Sequence, residues 1–257
     1  MKLTVTVITY NEAEHIQHAL ESVAWADEII VVDSGSTDGT VELARPLATR
    51  VIVRDWPGYS DQKNFAADNA SNDWVLSVDA DERVTPELAA EIREVLSREP
   101  QARGYRIRRV SWYLGRWIRS TDWCPDYQLR LYDRRAGRWN GMAIHESFRL
   151  SSGTPGVLGG ELHHFAYRDI SHHLKKIDAY TTMLARQAHE QGRRANPLGM
   201  AVHPWLAFLR NYVLRRGFTD GTAGFVISLL NAYYVFLKQA KLWELQRTPP
   251  ARDGGRD

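Results

Sequence analysis

LTVTVITYNE at residues 3–12 opens the pattern that decides the fold of this chain. A similar β-branched, apolar run returns as EIIVVDSGSTDG at 28–39, RVIVR at 50–54 and WVLSVDADE at 74–82. Each run predicts a strand, and the segments between them carry apolar residues at helical spacing, such as Ile16, Ala19 and Val23. Alternating strands and helices predict an α/β fold, a doubly wound and mostly parallel sheet flanked by helices.

Two helix starts are predicted from capping residues. Asn11 followed by Glu14 has the spacing of a capping box. Thr85 followed by Pro86 predicts a second start, because Thr is a good N-cap and Pro suits the first helical position.

The pattern changes after residue 100. GYRIRRVSWYLGRWI (104–118) and YQLRLYDRRAGRW (127–139) are strand-like and rich in Arg and aromatic residues, which predicts a smaller mixed sheet packed beside the first. After Gly160 the pattern is helical, and the last ten residues resemble a disordered tail. We therefore expect one half of the main domain over 1–100, its second half over 101–160, a helical appendage over 161–247 and the tail over 248–257.

Composition and charge restrict the class of protein. With 44% hydrophobic and 25% charged residues, the 257-residue chain is neither disordered nor collagen-like. The net charge of +2 hides an asymmetry: residues 1–100 hold 8 basic and 19 acidic side chains (−11), and residues 101–257 hold 25 and 12 (+13). The single cysteine, Cys124, excludes an intrachain disulfide and favours a reducing compartment. Polar Asn11 and Glu12 come too early for a signal peptide, so a cytoplasmic location is expected.

Polar clusters follow three of the predicted strands. They are Thr9–Glu12, Asp33–Ser36 and Asp79–Glu82. In doubly wound sheets ligands bind beyond the carboxyl ends of the strands, so these clusters are expected to form one site. Asp79 and Asp81 offer two carboxylates for a hard divalent cation, although an isolated D-x-D is often a solvated acidic turn. The backbone N–H groups of Ser34–Thr37 are expected to approach the ligand.

Two common nucleotide motifs are missing. The segment after the first strand reads TYNEAE instead of G-x-G-x-x-G, and no G-x-x-x-x-G-K-[ST] occurs in the chain. The ligand is therefore expected to be a nucleotide held by side chains and not by a glycine-rich phosphate loop.

Four ordered motifs carry a resemblance to a known family. TVITYNE, VVDSGSTDGT, QKNFA and WVLSVDADERVTPEL resemble glycosyltransferase family 2, the inverting transferases of the GT-A fold, over residues 1–150. The later WYLGRWIR, YQLRLYDRRAGRW, IHE and RRGFTDGTAGF are similar to the branch of lipopolysaccharide core β-glucosyltransferases that act on heptose. The resemblance implies transfer of a hexose, glucose in that branch, from a nucleotide sugar to a lipopolysaccharide-core or related glycolipid.

The resemblance also implies roles for residues. The donor, a UDP-sugar, and Mg²⁺ or Mn²⁺ would be bound in the first half of the main domain, and the acceptor in the second. The implied donor-binding residues are Thr9, Tyr10, Asn11, Glu12, Asp33, Ser34, Gly35, Lys63, Asn64, Asp79 and Ala80. The implied metal ligands are Asp79 and Asp81, with His164 or His145 as a third.

An inverting transferase needs a carboxylate that takes the proton of the acceptor hydroxyl. Asp126, in WCPDYQLRL, is the closest match to the family's acidic motif, although Pro125 stands where many members have Glu. Glu146 is the competing residue, and Asp122 is a third, more distant candidate.

Two other functions compete with the transferase. A haloacid-dehalogenase-like phosphatase also has an aspartate at a strand end followed by D-x-D, but it needs Thr or Val where this chain has Arg83. A non-catalytic glycolipid-binding module on the same fold is the second alternative. Paired histidines do not predict a zinc site, since no Cys/His ligand spacing accompanies them.

Arginines and aromatic residues alternate in the second half of the main domain. This mixture suits an anionic sugar acceptor, and no nucleic-acid motif accompanies it. The arginines are Arg103, Arg106, Arg108, Arg109, Arg116, Arg119, Arg130, Arg134, Arg135 and Arg138.

The helical appendage contains two apolar stretches. Residues 199–218 have the mixture of Trp, Tyr, Phe and Arg that is typical of an interfacial helix, which predicts peripheral contact with the cytoplasmic face of an inner membrane. Residues 221–237 are short and polar for a membrane-spanning helix, and they suit a core helix or membrane contact. The oligomeric state is left open.

Overall fold

The computed structural model describes residues 1–140 and 146–247. The predicted tail at 248–257 and His145 lie outside the described residues. The strands are β1 (Leu3–Thr9), β2 (Glu28–Asp33), β3 (Arg50–Val53), β4 (Trp74–Asp79), β5 (Glu82–Val84), β6 (Gly104–Tyr113), β7 (Arg116–Trp117), β8 (Asp126–Asp133), β9 (Gly137–Asn140), β10 (Ser147–Leu150) and β11 (Gly156–His164). The helices are α1 (Ile16–Glu21), α2 (Thr40–Ala44), α3 (Tyr59–Asp68), α4 (Pro86–Ser97), α5 (Ile170–Glu190), α6 (Pro197–Leu209) and α7 (Gly221–Arg247).

The chain divides into two compact units. Unit 1 comprises Met1–Ser111 and Pro125–Phe165, and unit 2 comprises Trp112–Cys124 and Ala166–Asp257. The helical appendage expected from 161 onwards thus shares its unit with an excursion of the chain at 112–124.

Unit 1 is built on a mixed sheet with strand order β3-β2-β1-β4-β8-β6-β11-β5. The first four strands are parallel, β4-β8 and β8-β6 are antiparallel, β6-β11 is parallel and β11-β5 is antiparallel. The predicted α/β fold with a mixed sheet, flanking helices and a C-terminal helical region is confirmed. The strands after residue 100 extend the first sheet, and the hairpin β9-β10 forms a separate two-stranded sheet.

The sheet is covered on both faces because its strands are apolar on both. In β2, Ile29 and Val31 belong to one core cluster, and Ile30 and Val32 belong to the other. The first cluster includes Ile16 of α1, Ala44 of α2 and Leu88 of α4, whereas the second includes Ala66 of α3 and Phe148 of β10. Strands that are buried on both faces show the continuous apolar runs by which they were predicted.

The two predicted helix starts have different outcomes. Thr85 is the N-cap of α4, since its Oγ1 accepts a hydrogen bond from Leu88 N at 3.2 Å, and Pro86 is the first helical residue. The capping box at Asn11 is wrong: α1 begins at Ile16 after His15. Asn11 has φ of +53° and its Oδ1 accepts from Thr37 N at 2.9 Å, so it joins two loops instead of starting a helix.

Unit 2 is helical around a small aromatic core. Tyr113, Ile118, Ala223 and Ile227 are buried together, with Trp123 and Tyr167 packed against them. The carboxylate of Asp220 accepts from Arg119 N at 2.9 Å and from Ser120 Oγ, which ties the excursion at 112–124 to the turn before α7.

Candidate active site

The sheet topology brings the three polar clusters onto three adjacent strands. β1 lies between β2 and β4, with Thr9 opposite Asp33 and Ile8 opposite Asp79. Because all three strands are parallel, Thr9, Asp33 and Asp79 end at the same edge of the sheet. The clusters predicted from sequence at Thr9–Glu12, Asp33–Ser36 and Asp79–Glu82 therefore converge there.

The turn after β2 is closed by its own aspartate. Asp33 is fully buried, and its Oδ1 accepts from Gly35 N at 2.9 Å and from Ser36 N at 2.8 Å. Its Oδ2 accepts from Ser36 Oγ. The backbone N–H groups of Gly35 and Ser36, which were expected to approach the ligand, are thus engaged within the turn, and Gly35 has the positive φ of +87° that the turn requires.

The loop after β1 is tied to the same turn. Ser36 Oγ accepts from Asn11 N at 2.8 Å, and Glu12 N donates to Thr40 Oγ1 at 2.9 Å. Tyr10 lies between these tethers and is 57% exposed. The backbone is held on both sides of an aromatic ring that remains open to solvent, which suits stacking against a planar ligand group.

Asp79 lies in a chain of alternating charges that links both candidate bases. Lys63 Nζ is 3.0 Å from Asp79 Oδ1 and 3.0 Å from Glu146 Oε1. Arg130 Nη2 donates to Asp79 Oδ2 at 2.5 Å and to Glu82 Oε1 at 2.7 Å. Glu82 Oε1 also accepts from Arg109 Nη1 at 3.2 Å.

The chain of charges ends at Asp126. Arg109 donates through Nε and Nη2 to Asp126 Oδ2, both at 2.8 Å, and Gln128 Nε2 donates to Asp126 Oδ1 at 2.5 Å. In order, the charge chain comprises Glu146, Lys63, Asp79, Arg130, Glu82, Arg109 and Asp126. Four carboxylates and three cations leave it with one net negative charge, and a candidate base lies at each end.

The charge chain shifts the pKa values of its buried members. Burial alone would raise the pKa of Asp79, but Arg130 and Lys63 outweigh it and hold the pKa well below its usual range. Burial would lower the pKa of Arg130, but Asp79 and Glu82 raise it above its usual range. The pKa of Arg109 is raised in the same way: Glu82 and Asp126 outweigh burial. Asp79, Arg109 and Arg130 are therefore ionised at neutral pH.

Asp81 lies beside a histidine. His164 Nε2 is 3.4 Å from Asp81 Oδ2, and His164 Nδ1 lies 3.2 Å from Ser111 Oγ. The topology explains the pair, because His164 at the end of β11 is opposite Glu82 at the start of β5, one residue after Asp81. Metal sites commonly combine a carboxylate with a histidine that binds through one ring nitrogen while its second ring nitrogen is hydrogen-bonded to another group.

Lys63 and Asn64 are held inside unit 1. Lys63 is 2% exposed, and its ammonium also lies over the ring of Trp139 at 4.6 Å from the centroid. Asn64 exchanges two hydrogen bonds with the backbone of Trp139, at 2.9 and 3.0 Å. The structure therefore gives both residues partners within the protein, and Lys63 acts on the site through Asp79 and Glu146.

The sequence placed Glu82 in the strand-end cluster Asp79–Glu82, but it did not identify Arg109 and Arg130 as members of the charge chain. Glu82 and Arg130 are buried and the side chain of Arg109 is 23% exposed; Glu82 Oε2 also accepts from Asp79 N at 2.9 Å. The two arginines were grouped with those expected to bind the acceptor. Several others of that group also pair with carboxylates: Arg103 and Arg135 with Asp133, Arg108 with Glu161, Arg116 with Asp220, and Arg138 with Asp68. The expectation that these arginines are available to an anionic acceptor is thus corrected for Arg109 and Arg130.

Within residues 1–140 and 146–247, no group of three or more His, Cys, Asp or Glu residues is arranged to hold a metal ion. In the described part of the chain, one helical stretch, Gly217–Arg247, is long and apolar enough to cross a membrane: the mean hydropathy of its apolar 18-residue window is 1.2, and 33% of that window is buried.

Comparisons with known proteins agree on one family. A family model described as "Glycosyl transferase family 2" matches residues 4–152. An uncharacterized glycosyltransferase of Rickettsia typhi is 34% identical over 256 residues, which cover 95% of this chain and 87% of the relative. The lipopolysaccharide core biosynthesis glycosyltransferase LpsC of Rhizobium meliloti is 30% identical over 250 residues, 95% of this chain and 93% of LpsC.

A solved structure shows a weaker similarity. The glucosyl-3-phosphoglycerate synthase of Mycobacterium tuberculosis, in complex with Mn²⁺, UDP-glucose and phosphoglyceric acid, is 24% identical. The match covers 44% of this chain and 43% of that one, with a TM-score of 0.37.

Proposed function

Because this chain belongs to glycosyltransferase family 2, we propose that it transfers a hexose, with inversion, from a nucleotide sugar to a lipopolysaccharide-core or related cell-envelope glycolipid. The proposal depends mainly on the convergence of Thr9, Asp33 and Asp79 at one edge of the sheet. Asp81, two residues after Asp79, is paired there with His164 at the end of β11. Family membership removes the phosphatase alternative.

The donor nucleotide, a UDP-sugar in this proposal, binds at the ends of β1 and β2. Tyr10 stacks on the base, and the turn closed by Asp33, with Ser34 and Gly35, shapes the base pocket. Thr9 supports this assignment: its Oγ1 is buried and has no hydrogen-bond partner among the described residues, so a ligand would satisfy it. Asn11 and Glu12 hold the loop, and Asp79 and Ala80 lie beside the ribose.

The residues present fit a divalent cation of the Mg²⁺ or Mn²⁺ type. Asp81 and His164 are the two ligands, and Ser111 orients the imidazole. Both oxygens of Asp79 are engaged by Lys63 and Arg130, so Asp79 contributes negative charge nearby instead of serving as the main ligand. The cation neutralises the diphosphate leaving group when bound.

Asp126 takes the proton of the acceptor hydroxyl. Its side chain is 27% exposed at the end of the charge chain, and two nitrogens of Arg109 hold one of its oxygens. Glu146, whose side chain is 18% exposed, is the alternative base at the other end, bound to Lys63. Each carboxylate is joined to the Asp79–Glu82 segment through one cation, Arg109 for Asp126 and Lys63 for Glu146, so either is held in a defined place.

The acceptor and location follow from the relative with a named role. LpsC is a lipopolysaccharide core biosynthesis glycosyltransferase that aligns with 95% of this chain, which supports a glycolipid acceptor. The proposal places the enzyme in the cytoplasm, at the inner membrane where such an acceptor would be found.

Turnover and binding test the proposal separately. Thermal shift is measured with UDP-, GDP- and dTDP-glucose, with and without Mn²⁺, and hexose transfer is followed on purified lipopolysaccharide core. We expect Mn²⁺-dependent stabilisation by UDP-glucose and transfer to the core acceptor. Absence of both contradicts the proposal, and binding without transfer to any glycolipid supports the non-catalytic binding module instead. The variant Asp81→Asn is compared with the wild type, and it should abolish the part of the thermal shift that depends on Mn²⁺.

A further inference from the structure

We propose that α6 and the turn that follows it form a docking surface for a bilayer that contains anionic lipid. This surface, named here the apolar ridge, consists of Leu198, Val202, Trp205, Leu206, Leu209 and Leu214. The apolar ridge would provide the membrane location of the proposed function. It lies in unit 2 alone and is tested without donor or acceptor, so it can fail while the proposed transfer reaction stands.

The apolar ridge is large and open to solvent. Trp205 is 72% exposed, Leu198 71% and Leu214 77%. Positions 198, 202, 205, 206 and 209 recur at helical spacing, so they lie along one face of α6. Exposed side chains of this size on one helix face exceed the scattered apolar residues of an ordinary surface, and they mark an interaction site.

Helix α6 exposes its large apolar residues and buries its small ones, which is the reverse of a surface helix in a water-soluble domain. The buried residues of α6 are Gly199 and Ala207, and Asn211 is buried in the π-helical turn at 210–214. Small and polar residues thus face the protein while Trp and Leu face outward. A globular surface helix has the reverse pattern, so the outward face of α6 suits an apolar partner.

Charge identifies the partner as an anionic lipid surface. Residues 191–219 contain five arginines and no Asp or Glu. Arg193, Arg194 and Arg216 are exposed on either side of the apolar ridge, as are Arg210 and Arg215, which also pair with Asp122. Apolar residues flanked by arginines, with Trp205 among them, combine insertion at the acyl boundary with attraction to anionic headgroups.

The contacts of α7 favour a surface attachment over a span. Phe225 of α7 packs against Phe208 and Tyr212, with ring centroids 5.8 and 5.7 Å apart. At its other end, Lys241 donates to Asp178 Oδ1 of α5 at 2.7 Å. Helix α7 thus packs against α6 near its start and against α5 near its end. It still exposes Leu229 to 53% and Tyr233 to 43%, but the apolar side chains of α6 and its following turn are exposed to as much as 77%, so we assign the lipid contact to them.

Vesicle flotation of the full chain tests the apolar ridge. Vesicles of phosphatidylcholine alone and of phosphatidylcholine with a quarter phosphatidylglycerol are compared at low and high salt. We expect the protein to float with the anionic vesicles at low salt, and binding to weaken in high salt or with phosphatidylcholine alone. The variant Trp205→Ser/Leu214→Ser should reduce the bound fraction at least about tenfold, because two large apolar groups no longer insert.

The control is Val157→Ser, which removes an exposed apolar side chain from β11 of unit 1 and should float like the wild type. Leu198→Ser/Val202→Ser is a second ridge variant, and circular dichroism checks that each variant is folded. The proposal is overturned if the wild type does not float, or if folded ridge variants float as well as the wild type. It is also overturned if the ridge variants only convert a dimer to a monomer in sedimentation, which would make a second copy the partner.

Discussion

Arg130 donates from a single nitrogen, Nη2, to both Asp79 and Glu82, at 2.5 and 2.7 Å. Its side chain is 4% exposed and Glu82 is fully buried, so the guanidinium is the cation shared by both carboxylates, in addition to Lys63 at Asp79 and Arg109 at Glu82. Removing one partner of a buried ionic cluster leaves an uncompensated charge.

Arg130→Met should therefore destabilise the protein by about 3–5 kcal/mol, measured as the free energy of unfolding in urea. Arg138→Met is the matched control, because Arg138 and Asp68 form a pair that is more than half exposed, and the change there should be below about 1 kcal/mol. Equal effects of the two variants would contradict the role given to Arg130.

Asp126→Asn should lower kcat by about 10²–10⁴-fold with little change in the KM for the donor, because the proton acceptor is lost while donor contacts remain. Glu146→Gln is the matched variant at the other end of the charge chain, and it should keep kcat within about tenfold of the wild type. A larger kcat loss in Glu146→Gln than in Asp126→Asn would reverse the assignment. Loss of the acidic limb of the pH–rate profile in only one variant identifies the base independently.

Ser111→Ala should weaken Mn²⁺ binding by about 10–100-fold, because Ser111 is the partner of His164 Nδ1 and such partners orient metal ligands. Isothermal titration of Mn²⁺ in the presence of UDP measures the effect. Ser97→Ala, at the end of α4, changes an exposed hydroxyl that donates to Glu94 O and serves as the control. If the Ser111 and Ser97 variants bind Mn²⁺ equally, His164 is not oriented for a metal.

His173 should make the stability of unit 2 depend on pH. Burial, together with the nearby charges of Lys176 and His172, lowers its pKa to about 4. The unfolded state, with a histidine pKa of about 6.5, binds more protons between these values, so stability is complete above about pH 6.5 and falls as the pH drops towards 4, by at most about 3 kcal/mol.

Urea unfolding at pH 7 and pH 4.5 measures this loss. His173→Phe keeps a ring against Tyr113 and Tyr167 and should show a smaller loss between the two pH values. His18→Phe changes an exposed histidine of α1 and should leave the pH dependence as in the wild type. An unchanged pH dependence in His173→Phe would exclude His173 as its source.

Local chemistry explains which features were predictable. The strands β1, β2 and β4 were visible because their apolar, β-branched runs are buried in the sheet, and the half-exposed β3 was visible from its β-branched residues. Helix α4 was visible because Thr85-Pro86 caps a helix by contacts within one turn. The same reasoning failed at Asn11, because its side chain bonds to Thr37, a residue 26 positions away. A local motif does not reveal a competing partner that is distant in sequence.

The sequence by itself determined the parallel half of the sheet, the family and the polar strand ends, because each depends on a pattern of residues that are contiguous in the chain. Only the tertiary structure decided what the charged residues do. Arg109 and Arg130 lie in the same Arg-rich, strand-like segments as their exposed neighbours, so their sequence context does not distinguish them. The antiparallel pairing of β8 with β6 and β4 brings them against Glu82 and Asp79. Some acidic side chains of residues 1–100, which carry a net charge of −11, are thus neutralised inside unit 1 by arginines of the later part, which carries +13. A buried carboxylate needs a nearby cation, and here strands that are distant in sequence supply it.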